Sequence, residues 1–116
     1  MFDFEKLDVY HKAKQLNKKV FLFLKSIKTV RSTNDQLRRA SFSIMLNIAE
    51  GSGRYSKADK RNFYVIARGS VFECVAIFDY MKDIQAIDQD TFITFYNDFE
   101  ELSRMLFSMI KNLSLK

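Results

Sequence analysis

The chain has no proline, only three glycines, one cysteine and one histidine among its 116 residues. Each scarcity removes a class of protein. Without proline and with so little glycine, a turn-rich all-β fold has nothing from which to build its tight connections. A hydrophobic fraction of 47%, with twelve phenylalanines, removes intrinsic disorder. The single cysteine, Cys74, excludes an internal disulfide and agrees with a reducing, cytoplasmic compartment. The start, Met1 to Lys14, has no basic segment followed by an apolar one, and no apolar run approaches the roughly 18 residues that span a bilayer. A soluble, unexported chain without a membrane partner is expected.

What the sequence does have is helical periodicity. Apolar residues recur in steps of three and four at Val9, Ala13, Leu16, Val20, Phe23 and Ile27. The pattern breaks after Lys28, where Thr33 or Asn34 is available to cap a second helix carrying Leu37, Ala40, Ser41, Ile44 and Ile48. Gly51-Ser-Gly53 marks its end. Ser56 and Asp59 have the spacing of a capping box for a third stripe, Phe63, Ala67, Ser70, Cys74, Ile77 and Met81, ending near Asp83. Asp88 or Asp90 then caps a fourth, Phe92, Phe95, Phe99, Leu102, Leu106, Met109 and Leu113. Four stripes joined by short connections predict one all-α domain over residues 1–116, an antiparallel up-down-up-down four-helix bundle.

The middle helices are apolar on a second side as well. Opposite its core stripe the second helix carries Phe42, Met45, Leu46 and Ala49, and the third carries Val65, Gly69, Phe72 and Ala76. A bundle helix in a monomer shows one side to water, so these seams predict a subunit interface, with small Gly69 and Ala76 allowing close approach. Burial of Phe42, Leu46, Val65 or Phe72 would each contribute roughly 1.5–3 kcal/mol. Between the two apolar sides of the second helix runs a polar line, Gln36, Arg39, Ser43, Asn47 and Glu50. At an interface edge its members must be paired, and Glu73 is the expected partner of Arg39 or Arg68.

The residues offer little for catalysis. One histidine, His11, cannot supply the Glu-x-x-His pairs of a di-iron bundle, and beside Tyr10 and Lys12 it reads as a surface side chain. Cys74 falls on a core stripe with no histidine placed to activate it. Gly51-Ser-Gly-Arg-Tyr-Ser-Lys57 lacks the spacing of a phosphate-binding P-loop and follows no strand. No enzyme, metal or cofactor is expected.

Charge points instead to a polyanion. Residues 1 to 62 hold 14 basic and 6 acidic groups, a net of +8, whereas residues 63 to 116 hold 5 and 8, a net of −3. Lys14, Lys18, Lys25 and Lys28 share one side of the first helix, extended by Arg31, while Arg54, Lys57, Lys60 and Arg61 cluster at the second connection. Repeated in an oligomer, such patches would bind nucleic acid by shape and charge, with affinity falling as salt rises.

The stretch Gln36-Leu-Arg-Arg-Ala40, Ser43-Ile44, Asn47-Ile-Ala-Glu-Gly51, Arg54, Ser56 and Ala67-Arg-Gly-Ser70 with Glu73 resembles the proteins encoded within 23S rRNA intervening sequences. Phe4-Glu-Lys-Leu-Asp-Val-Tyr10 agrees with that family's start, and the fourth helix matches in pattern only. The family is similar to the accessory variability determinants of diversity-generating retroelements. The resemblance implies a four-helix bundle assembling into a homopentamer with a basic surface and, from the retroelement relatives, binding of nucleic acid and a reverse transcriptase. Three functions compete: an oligomer binding structured RNA or DNA, an adaptor docking a partner enzyme, and a small-molecule pocket lined by Asn47, Glu50 and Glu73.

Overall fold

The computed structural model describes residues 1–28 and 30–114; Thr29, in the first connection, and the last two residues lie outside them. A short 3-10 turn, Asp3–Lys6, precedes four helices: α1 (Asp8–Ser26), α2 (Arg31–Ser52), α3 (Lys57–Asp83) and α4 (Gln89–Ser114). Each helix packs on the next and α4 returns to α1, giving the cyclic order α1, α2, α3, α4. Paired positions run in opposite directions. Gln36 meets Glu73 and Ser43 meets Ser70 between α2 and α3. Lys12 meets Glu101 and Lys19 meets Asp98 between α1 and α4. The bundle measures 46 × 26 × 21 Å.

The helix ends follow local chemistry. Ser56 accepts the Asp59 N–H at 3.0 Å as the α3 cap, and Asp88 accepts the Thr91 N–H at 2.7 Å at the start of α4. The second helix departs from expectation. It begins at Arg31 after Val30, so Thr33 and Asn34 lie inside its first turns rather than at its cap. The earlier start puts Ser32 and Thr33 beside Gln36 along a groove shared with Glu73 and Tyr80 of α3. At the end of α3, Ala86 N–H reaches the Met81 carbonyl and Gln85 N–H the Lys82 carbonyl. This double closure places Gln85 in the left-handed region at φ 62°.

Between the helices lies a core rich in phenylalanine. Phe78 stacks on Phe95 with ring centroids 4.5 Å apart, and Phe23 and Phe99 pack around them. Every expected core position of α2 is buried. On α3, Ala67, Ser70, Cys74 and Met81 are buried as expected, but Tyr64, Val71 and Phe78 replace Phe63 and Ile77. The buried arc of α3, which packs on α2 and α4, is wider than one four-three stripe. Among the described residues no helix is long and apolar enough to cross a membrane.

Candidate nucleic-acid and assembly surfaces

Lysines are distributed to both flanks of α1, and the two flanks have different fates. On the α4 side, Lys12 pairs with Glu101 at 2.9 Å and Lys19 with Asp98 at 2.6 Å. Part of the charge polarity along the chain is therefore spent inside the bundle. On the other flank, Lys14, Lys18 and Lys25 are exposed, as is Lys28 beyond the helix. None of these four has an acidic partner among the described residues. Arg31 lies 4.0 Å from Asp35.

Across the groove from that flank stand two cations of α2. The Arg38 guanidinium sits 5.6 Å above the Phe21 ring, which Lys25 also approaches at 5.5 Å. Arg38 and Arg39 share with Lys18 a groove of about 640 Å³ between α1 and α2. Arg38 is absent from the basic residues selected by sequence. Its position follows from the antiparallel register that sets residue 38 against residue 21, which a wheel drawn for one helix at a time does not contain.

The second basic cluster is largely structural. Lys60 donates to the Ser52 carbonyl at 2.7 Å, satisfying an end of α2. Arg61 donates to Ser114 Oγ at 2.7 Å, tying α3 to α4. Arg54 pairs with Glu50 at 3.4 Å and covers the Phe63 ring at 4.6 Å. Lys57 is exposed at the start of α3. The turn holding these residues lies at the opposite end of the bundle from Lys28 and Arg31, so the basic groups do not form one patch.

Both second seams face solvent in the isolated chain: Phe42 and Leu46 are each 47% exposed, Val65 43% and Phe72 57%. Ala76 is exposed one turn beyond Phe72, and a side chain built on Gly69 would meet nothing within 4 Å. Arg68 lies over both Phe72 and Phe107, at 4.9 and 5.2 Å, and donates to the Ser103 carbonyl.

The polar line is paired, but not as expected. Glu73 accepts from Gln36 rather than from Arg39 or Arg68. Ser43 Oγ lies 3.1 Å from Ser70 Oγ, and Asn47 donates to the Ser43 carbonyl and hydroxyl at 2.9 and 3.0 Å. The line turns toward α3, leaving Arg39 on the outer side of α2. Asn47, Glu50 and Glu73 are thus not brought together. Asn47 is bonded within α2, Glu50 holds Arg54, and Glu73 sits by Gln36, eleven residues or about 16 Å along α2 from Asn47.

Among the described residues no group of three or more histidine, cysteine or acidic side chains could hold a metal ion. The exposed His11 ring donates to the Glu5 carbonyl at 2.7 Å. Cys74 is fully buried, and burial, then the nearby Glu73 charge, pushes its thiol pKa up, away from the reactive thiolate.

The sequence pattern of the 23S rRNA-intervening sequence protein family matches residues 5–108. The chain belongs to this family. A solved structure from Bacteroides thetaiotaomicron, described as a protein of unknown function from the S23 ribosomal protein family, has the same fold. It is 24% identical, with a TM-score of 0.85 over 89% of this chain and 98% of that one. A comparison with curated proteins finds no match. The residues that carried the resemblance to the intervening-sequence proteins fall largely on the α2–α3 contact: Gln36 with Glu73, Ser43 with Ser70, and Asn47 with Ser43. Gly51 belongs with them, because α3 crosses it closely enough that a Cβ there would lie 2.7 Å from that of Phe63. What these positions do in this chain is to fix the register of the two middle helices.

Proposed function

We propose that this family member is a cytoplasmic, non-enzymatic homo-oligomer that binds structured RNA or DNA by charge and shape rather than by base sequence. The observation that carries the reading is the set of exposed cations Lys14, Lys18 and Lys25 on the α2 side of α1 and Lys28 just beyond it, without acidic partners among the described residues. Exposed like charges lined up in this way favour a polyanion that releases its counterions on binding. Lys57 and Arg54 at the far end supply a second, smaller contact. Self-association is supported by the exposed apolar seams and by Gly69, a poor helix former whose lack of a side chain serves no close approach within the subunit. A homopentamer is the assembly that the family resemblance implies. The buried neutral thiol and the carbonyl-bound surface histidine support binding over catalysis.

Fluorescence anisotropy of a labelled RNA hairpin and a DNA duplex, titrated at increasing salt, tests the reading. Binding at low ionic strength with a steep, linear fall of log affinity against log salt is expected. No binding at low salt, or salt-insensitive binding, would overturn it.

A second reading is an adaptor that docks a nucleic-acid enzyme. It is supported by Ile93, Tyr96 and Phe107, large apolar side chains exposed on α4. Purification of the tagged chain with a stoichiometric partner enzyme, lost on Phe107→Asp, would favour it.

A further inference from the structure

Two grooves run along the bundle on opposite sides. The first, between α1 and α2, has Val20, Phe21 and Phe42 among its apolar lining and Lys18, Arg38 and Arg39 as its cations. Its one acid, Asp35, lies 4.0 Å from Arg31, so cations outnumber acids along it. The second, about 480 Å³ between α3 and α4, is lined by Phe72, Val75, Phe92 and Tyr96, with Asp79 and Glu100 as its charged groups. Cyclic helix order sets the two back to back.

Each groove leaves aromatic surface open, with Phe42 47% and Phe72 57% exposed. The charges are opposite in sign. Asp79 is bonded to Lys82 and Glu100 to Arg104 on their own helices, but such exposed pairs are weak and exchange partners readily. A basic groove cannot pair with its own copy without setting Arg38 and Arg39 against themselves, and the acidic groove is barred from self-pairing in the same way.

We infer that the two grooves are each other's occupants on successive copies of this chain, a heterologous contact that seats Phe42 of one subunit against the Phe72 groove of the next. The inference rests on the self-association in the proposed function and specifies its geometry. It also accounts for the two second seams, one on α2 and one on α3, because a head-to-tail contact needs two different faces where a two-fold contact needs one. Subunits joined in this way close into a ring or extend as a filament, and Lys14 and Lys28, outside the groove, repeat from copy to copy.

Mixing two charge-reversed variants tests this. Arg38→Glu/Arg39→Glu spoils only the basic groove, and Asp79→Lys/Glu100→Lys only the acidic one. Each is expected to sediment as a single folded chain of 13.7 kDa, with helicity checked by circular dichroism. Mixed in equal amounts, they meet both through the two unaltered grooves and through the two reversed ones, whose signs are again opposite, and should co-assemble into species of several chains. A chain carrying all four changes should regain the wild-type assembly. If either double variant does not fold, Arg39→Glu and Glu100→Lys alone make the same comparison.

A mixture that stays at one-chain mass, or a folded four-fold variant that stays monomeric, would overturn the inference. So would an Arg38→Glu/Arg39→Glu variant that keeps its assembly and loses RNA binding, since the basic groove would then hold nucleic acid. A monomeric wild type would remove self-association altogether, whereas an oligomer that fails only the mixing experiment would refute the geometry alone.

Discussion

A Cβ added at Gly51 would lie 2.7 Å from the Cβ of Phe63, closer than two side chains can approach, and Tyr64 closes the same space at 3.0 Å. The α2–α3 turn is folded so tightly that only hydrogen fits. Gly51→Ala is therefore expected to destabilise the bundle by about 1–3 kcal/mol, through a backbone shift. Gly69→Ala meets no atom within 4 Å and should stabilise the subunit by about 0.5–1 kcal/mol as a better helix former. Urea unfolding of both variants, at concentrations low enough to hold them monomeric, checks the opposite signs.

Gln85 closes α3 in a left-handed conformation at φ 62°, where a side chain crowds its own carbonyl. Gln85→Gly keeps both closing hydrogen bonds and should raise stability by about 1 kcal/mol. A higher urea midpoint at unchanged slope is the expected result.

Much of the bundle was legible because apolar residues recur at helical spacing on the buried face, most cleanly on α2. Leu37, Ala40, Ser41, Ile44 and Ile48 are all buried where periodicity put them. The pattern loosened on α3, where Tyr64, Val71 and Phe78 are buried beyond the expected stripe, and near the end of α1, where Leu24 is buried and Phe23 only partly. The functional surfaces were less legible, for a different reason. Arg38 joins Lys18 and Phe21 only through the α1–α2 register, and Lys60 and Arg61 look like free cations until the Ser52 carbonyl and Ser114 hydroxyl are placed beside them.

Stability should fall on both sides of neutral pH, for opposite reasons. Burial raises the Cys74 pKa above its ordinary 9.0, and the Tyr64 pKa is raised by burial and the Asp3 charge. The folded state holds these protons after the unfolded chain has lost its own. Their contribution is therefore intact below pH 9 and declines as pH rises beyond it, by at most about 1.4 kcal/mol per pH unit for each group. Cys74→Ala should flatten the alkaline limb of a stability profile. Hydrogen bonds from the Thr91 hydroxyl and N–H lower the Asp88 pKa, so its contribution is present above the ordinary carboxylate range and lost as pH falls through the folded value. Asp88→Asn should flatten the acid limb.

Binding and stability should separate between the two basic clusters. Lys14→Ala and Lys28→Ala are expected to leave the melting temperature unchanged and to lower the magnitude of the salt slope of nucleic-acid binding by about one each. Lys60→Ala removes the bond to the Ser52 carbonyl and should cost about 0.5–1.5 kcal/mol of stability with little change in binding. Parallel thermal melts and anisotropy titrations read the two effects apart.

Sedimentation velocity of the wild-type protein with a trace of labelled RNA hairpin, at low and then raised salt, tests the union of assembly and polyanion binding most directly. The expected result is a multi-subunit species that carries the RNA at low salt, releases it as salt rises, and keeps several chains together after release. A 13.7 kDa monomer, or an assembly that leaves the RNA sedimenting alone at low salt, would contradict it.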